Sequence, residues 1–307
     1  MARVSIVIPA FNAEPYIADT LRSILNSSYQ DYEIIVIDDG SKDKTAAVAA
    51  AVHPSIRVIS QANAGMSASR NRGIAASDSA YIALLDSDDI WHPQKLELQM
   101  QQLLARPDHD FAYSAFNVWD GGAYPEFMEL SCDGHVDEQH SGWVYQHLIL
   151  DNLALPSSIV MSRKAWNALG PFSCADQQTD DWDFLVSASR RYKFVRLAES
   201  LVLYRQHLSS LSRKLPRLNK HELMRDALLK RFGLQSPDGT PVDVDRLNHF
   251  RRASWCNFAD GHCSNGDLLL GLSEFTRLLI QGPNRSATAS KLSKSMFRRV
   301  FPKKSPT

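Results

Sequence analysis

The chain has 307 residues, 44% apolar and 22% charged, with 34 Lys and Arg against 34 Asp and Glu. That length gives one large domain or two modest ones, with a core of enzyme size, and the composition excludes wholesale disorder. The balanced charge excludes the basic excess of a nucleic-acid-binding protein. It is unevenly spread, however: residues 285–307 carry seven Lys or Arg and no acid, which leaves the body mildly acidic. No run approaches the ~18–20 apolar residues of a membrane span. The opening MARVSIVIP is too short an apolar run for a signal peptide. Cys132, Cys174, Cys256 and Cys263 form no C-x-x-C pair, so free thiols in a reducing cytoplasm are expected.

In chain order, short runs rich in Val, Ile and Leu occur at Val4–Pro9, Glu33–Asp38, Ile56–Ser60 and Tyr81–Asp86. Such continuous apolarity suits strands buried on both faces of a parallel sheet. Between them the pattern is helical: Tyr16–Leu25, Asp43–Val52 with Ser41 placed to cap it, Met66–Ala76, and Pro93–Leu104 with a proline in its first turn. This alternation predicts an α/β layered domain. Beyond Arg106 the rhythm breaks. Strands are expected at Phe111–Trp119, Ser157–Met161 and Phe194–Leu203, a polar loop over Asp120–Ser141 and a helix over Asp181–Arg191. From about Leu215 only helical patterns remain, at Lys220–Phe232, Asp243–Phe258 and Asp267–Ile280. The predicted division is an α/β body over 1–212, with halves at about 1–110 and 111–212, and a helical region over 213–307.

Ligands of open α/β sheets bind beyond the carboxyl ends of the strands. Neither G-x-G-x-x-G nor G-x-x-x-x-G-K-[ST] occurs there, which argues against a dinucleotide cofactor and a P-loop. The second strand instead ends in Asp38-Asp39-Gly40-Ser41 and the fourth in Asp86-Ser87-Asp88-Asp89. Alone, each reads equally well as a turn followed by a helix cap. In extended chain Asp86 and Asp88 point the same way and make a workable oxygen pair for Mg²⁺ or Mn²⁺. Between the two acidic ends, the segment from Asn63 to Gly73 runs into a helix and carries Arg70, a suitable anchor for an anion. Carboxylates for metal and base or ribose beside a cation for phosphate describe a nucleoside-diphosphate pocket.

The stretches VSIVIPAFNAE, YQDYEIIVIDDGSKDKT, NAGMSASRNRGI and YIALLDSDDIW, in that order and spacing, resemble the family 2 glycosyltransferases of GT-A fold. The resemblance is dense over residues 3–110. It implies that Asp39 contacts the nucleotide base, that Pro9 and Phe11 line its pocket, that Arg70 lies close to the nucleotide, and that Asp86 and Asp88 are the D-x-D binding metal and diphosphate. Thr179-Asp180-Asp181-Trp182-Asp183 is similar to the family's Glu-Asp-x-Asp segment, whose second acid is the general base, here Asp181; Asp180 stands where the family has Glu, which leaves open which of the two acids faces the acceptor. The run from Tyr204 to Ser212 resembles the Y-R-x-H-x-x-S-x-S segment, which brings Arg205 and His207 towards the metal or diphosphate.

The chemistry so implied is inverting transfer from a nucleoside-diphosphate sugar to a saccharide or lipid-linked saccharide acceptor, assisted by Mn²⁺ or Mg²⁺. One base without an enzyme nucleophile means a single displacement. Trp182 and Trp91, next to the base and metal motifs, are candidate sugar contacts as well as candidate core residues. The acidic and histidine-rich stretch from Asp133 to His140 lacks metal-ligand spacing and reads as an acceptor-side lid. In the tail, Leu292, Met296 and Val300 fall at helical spacing with Phe297 and Phe301 beside them and Lys291, Lys294 and Arg298 opposite, an amphipathic basic helix suited to peripheral contact with an anionic membrane. Two other classes share parts of this pattern. A sugar nucleotidyltransferase should have a Gly-rich basic loop after the first strand, where this chain has PAFNAE; a binding module without transfer activity should lack the base or the metal pair.

Overall fold

The computed structural model describes residues 3–176, 178–207, 210, 213, 215–281 and 285–300. Strand β1 (Val4–Ala10) is buried at every position, as its unbroken apolar run requires. Helix α1 (Ile17–Leu25) turns Ile17, Leu21 and Ile24 inward. Then follow β2 (Tyr32–Asp38), α2 (Thr45–Val52), β3 (Ile56–Ser60), α3 (Met66–Ala75), β4 (Tyr81–Leu84), the two-residue β5 (Ile90–Trp91) and α4 (Lys95–Ala105). Two helix starts differ from expectation. Ser41 does not cap α2; its Oγ accepts from the Asn12 N–H, and the Asp43 carboxylate takes the Thr45 N–H instead. Pro93 precedes α4 rather than sitting in its first turn.

The second half is β6 (His109–Trp119), α5 (Pro125–Glu129), α6 (Tyr145–Leu148), β7 (Val160–Ser162), α7 (Arg163–Leu169), α8 (Asp180–Ala188) and β8 (Lys193–Arg205). The predicted polar loop thus contains α5 and a 3₁₀ turn at Glu138–His140. The strand expected from Ser157 begins only at Val160, because Pro156 opens a 3₁₀ turn over Pro156–Ser158. Helix α8 begins one residue before, and ends three before, the predicted limits.

Among the described residues eight strands form one sheet in the order β3-β2-β1-β4-β7-β6-β8-β5. Strands β3, β2, β1 and β4 are parallel, and β6 and β8 are parallel. Strand β7 runs antiparallel between β4 and β6, and β5 antiparallel on β8. The register pairs Ala10 with Asp38 and Val7 with Leu84, so β1, β2 and β4 deliver the residues that follow them to one rim. Helix α3 lies close on this sheet because residue 73 is glycine: a Cβ there would sit 2.4 Å from Val7 Cγ1.

The chain separates into two compact units, one of residues 1–148, 152–208 and 235–240, the other of 149–151, 209–234 and 241–307. The predicted boundary at residue 212 lies outside the described residues. The second unit contains α9 (Lys220–Phe232), α10 (Val244–Asn265), α11 (Leu268–Gln281) and α12 (Arg285–Val300). Asn219 and Asp243 cap α9 and α10 through their side-chain oxygens. Gly271 lets α11 approach α10, since a Cβ there would meet Cys263 N at 2.6 Å. Leu292 of the basic tail helix packs on the Ala259, Cys263 and Phe275 cluster, so part of its apolar stripe is spent inside this unit. The side chains of 297–300, and residues 301–307 entirely, lie outside the described residues.

Candidate active site

The site is built at the β1, β2 and β4 rim of the first unit. The Asp39 N–H donates to Ala10 O, which ties the β2 exit to that of β1. Its carboxylate, only 3% exposed, is shared among three donors. Oδ1 accepts from Gln61 Nε2 at 2.7 Å and Ala64 N at 2.8 Å, and Oδ2 accepts from Gly65 N at 2.8 Å. Asp39 therefore fixes the loop that leads into α3. Phe11, 48% exposed just beyond β1, is the apolar face offered beside it, whereas Pro9 is buried within the strand. Asn12 takes a positive φ of 50°, held by its Oδ1 accepting from Lys42 N and its own N–H donating to Ser41.

Arg70, on α3, is 2% exposed, and its Nη2 lies 2.6 Å from Asp86 Oδ1. Asp88 Oδ2 lies 2.9 Å from His207 Nε2. Burial raises the Asp88 pKa, and the charge of Asp86 raises it further against the opposing hydrogen bond from His207. Asp89 is wholly buried and its pKa is raised well above the ordinary carboxylate range, chiefly by burial. It accepts from Arg205 N at 3.0 Å and Ser157 Oγ at 2.5 Å. The Arg205 Nε donates to Asp88 O at 2.6 Å, and its guanidinium lies between Trp119, 4.2 Å from the ring centroid, and Tyr16, at 5.1 Å. Tyr16 in turn stacks on His207 at 4.4 Å. Among the described residues, Arg70 Nε and Arg205 Nη2 are buried without a hydrogen-bond partner, so the site holds unused donor capacity suited to anionic oxygens.

Helix α8 meets the start of α3 through Asp180, whose carboxylate accepts from Ser67 Oγ and from the Asp176 N–H, both at 3.1 Å. Burial raises the Asp180 pKa. At 3% exposure Asp180 is an anchor of the fold, and of the two acids Asp181 is the more open. Asp181 is partly exposed; its Oδ1 accepts from the Trp182 N–H, and it borders a small apolar cavity with Leu84, Pro156, Phe172 and Phe184. The expected role of the two tryptophans is corrected. Trp182 is 1% exposed and donates its Nε1–H to Leu148 O, and Trp91, also 1% exposed, donates to Ser157 O. Both are core residues, with their polar edges satisfied inside the protein, and neither presents a face to sugar.

The rim thus brings together Phe11, Asp39, Arg70, Asp86, Asp88, Arg205 and His207. Sequence reasoning missed Ser157, Gln61, Tyr16 and Trp119, and took Asp89 only as a neighbour of the D-x-D. A further buried carboxylate directly after the pair was the one available signal; Ser157 gives none. Among the described residues no group of three or more His, Cys, Asp and Glu converges as a metal cage. The donor chemistry still fits a hard divalent cation: carboxylate oxygen from Asp88 with Asp86 close by, an imidazole nitrogen from His207, and like charge that a cation would relieve. Such ions are commonly held by one or two carboxylates and completed by water and phosphate oxygen.

Comparison with known proteins places the chain in a family. The family described as glycosyl transferase family 2 matches residues 5–139. TuaG of Bacillus subtilis, named for teichuronic acid biosynthesis, is 36% identical over 193 residues, which are 56% of this chain and 76% of TuaG. The chain belongs to glycosyl transferase family 2. The Escherichia coli chondroitin synthase is 26% identical over 82% of the chain, which spans only 36% of that protein's length. Among solved structures, the mannosyltransferase PcManGT of Pyrobaculum calidifontis, in complex with GDP-Man and Mn²⁺, matches with a TM-score of 0.62 and 17% identity, covering 98% of this chain and 88% of that one. The family 2 chain thus has the α/β arrangement of the GT-A fold, with a helical C-terminal region.

Proposed function

We propose that the protein transfers a sugar from a nucleoside diphosphate to an acceptor hydroxyl by a single, inverting displacement. The observation that carries this is the rim itself: Asp86 is held by Arg70, and Asp88 is held by His207 and Arg205, with unspent guanidinium donors on both arginines. A nucleotide would lie with its base against Phe11 and near Asp39 and its diphosphate towards Arg70 and Arg205. A divalent cation on Asp86, Asp88 and His207 would supply charge neutralisation for the departing diphosphate. Asp181 is the residue we assign to the incoming hydroxyl. As the acceptor oxygen bonds to the anomeric carbon and the bond to the diphosphate oxygen breaks, the hydroxyl proton passes to the Asp181 carboxylate. Asp181 lies in the first turn of α8, partly exposed, beside the cavity that Leu84 and Pro156 also border.

The decisive experiment is Asp181→Asn. Transfer should fall about 10²- to 10⁴-fold while calorimetric binding of the nucleoside diphosphate stays within a few-fold of wild type. Loss of nucleotide binding with unchanged turnover per bound donor would show that the base is misassigned. A thermal-shift screen of UDP-, GDP- and dTDP-sugars with Mn²⁺ or Mg²⁺ selects the donor. Relatives named for teichuronic acid and chondroitin direct the choice of acceptor towards polysaccharide or lipid-linked saccharide.

No helix among the described residues is long and apolar enough to cross a membrane. For the acid-free stretch 285–307 we propose peripheral contact with an anionic surface, carried by charge, since Leu292 is engaged in the helical unit. Flotation with phosphatidylglycerol vesicles should be lost on truncation after Gly282, and equal flotation of both forms would remove the tail from this role.

A further inference from the structure

One hydroxyl lies at the junction of the acidic rim and the later part of the sheet. Ser157 is fully buried in the 3₁₀ turn ahead of β7. Its Oγ accepts from the Asp86 N–H at 3.0 Å and donates to Asp89 Oδ2 at 2.5 Å. A hydroxyl has one proton to give, and the amide already occupies its accepting side, so the proton is directed to Asp89. The other oxygen of Asp89 takes the Arg205 N–H, and Arg205 Nε returns to Asp88 O. Ser157 therefore touches both sides of the Asp86–Asp89 turn, and through Asp89 it fixes the end of β8 that carries Arg205 and His207.

Ser157 is itself held rigidly. Its carbonyl accepts from Trp91 Nε1 at 2.7 Å, and the neighbouring Ser158 carbonyl accepts from Gln99 Nε2 at 2.7 Å. Gln99 Oε1 is bonded in turn by Lys95 Nζ. A buried group supported this way passes its position on to what it holds, because the low-dielectric surroundings make each unmade bond costly. The geometry points to Ser157 as a positioning residue for the proposed cation and diphosphate site. It touches neither substrate nor metal and acts by setting the spacing of Asp86, Asp88 and His207. This assignment rests on the reading of the rim as a donor site.

The test compares wild type with Ser157→Ala, Ser157→Cys and Ser157→Thr. The probe is UDP or GDP, whichever wild type binds more tightly, titrated calorimetrically with and without Mn²⁺. Outer-shell partners of metal sites typically cost about 10- to 100-fold when removed. Ser157→Ala should weaken Mn²⁺-dependent nucleotide binding by about that factor and leave metal-free binding within about threefold. Ser157→Thr, which keeps the hydroxyl, should recover most of the loss at an equal melting temperature. Metal-dependent binding unchanged in Ser157→Ala, or no recovery in Ser157→Thr when both are folded, would overturn the role. Unfolding of both the Ala and the volume-matched Cys forms would also overturn it, in favour of a purely structural serine. A wild type that binds neither nucleotide would instead overturn the donor-site reading.

Discussion

The two groups of residues that meet at the rim are held by different means. Those that follow β2 and β3 are fixed locally, as Asp39 is by Gln61, Ala64 and Gly65, only 22–26 residues away. Those that close the site from the later half of the chain are fixed across long intervals: Ser67 to Asp180 over 113 residues, Asp89 to Arg205 over 116, and Asp88 to His207 over 119. Local clamps form with the strand exits themselves, while the long-range ones exist only once the whole sheet has assembled, after the loop-closure entropy has been met. The first group should therefore be robust to changes elsewhere and the second sensitive to them.

The largest effect should come from Arg70→Ala. It strips the partner from Asp86 and leaves a half-buried carboxylate beside Asp88. Breaking a buried pair on one side costs up to ~3–5 kcal/mol; with Asp86 partly exposed, about 2–3 kcal/mol is expected, read from urea unfolding. Nucleoside-diphosphate affinity should fall at least about tenfold by calorimetry, the loss expected for a charged donor to phosphate. A variant as stable as wild type would show that the pair contributes nothing to the fold and that the local group is not held as described.

A smaller and more selective effect is expected from Trp182→Phe. The change leaves Leu148 O without its donor and removes ring volume from the core, at about 1–3 kcal/mol by chemical denaturation. Donor and acceptor KM should stay within about threefold. A rise in acceptor KM without loss of stability would return Trp182 to the sugar site and undo its placement in the core.

Much of the first group was legible from the chain alone, because its residues sit at the ends of strands that continuous apolar runs announce. Once Val4–Pro9, Glu33–Asp38 and Tyr81–Asp86 are read as parallel strands, the rim positions of Asp39 and Asp86 follow from topology. Helical patterns located α9 to its ends for the same reason. The later half was less legible. Ser157 and Gln61 are common residue types, whose significance comes from partners many positions away. Trp182 follows an acidic motif, and only its burial distinguishes a core indole from a sugar platform. The short α5, α6 and α7 escaped notice because four to seven residues are too few to show a helical period.

The smallest effect concerns Lys95, which lies beneath the joint between the two groups. Its ammonium is fully buried, 4.0 Å from the centroid of the Trp91 ring, and donates to Gln99 Oε1 at 2.7 Å. Burial lowers its pKa well below the ordinary lysine range. Between that lowered value and the unfolded one near 10.4, the unfolded chain binds more protons than the native one, so stability rises with pH across this window. Below the lowered value both forms are charged and the slope vanishes. In Lys95→Met the contribution is absent at every pH. Subtracting the variant's urea-derived stability profile from that of wild type should therefore leave a rising slope of at most ~1.4 kcal/mol per pH unit on the alkaline side. Parallel profiles would mean that water reaches the amine, and that the support beneath Ser157 is looser than its hydrogen bonds imply.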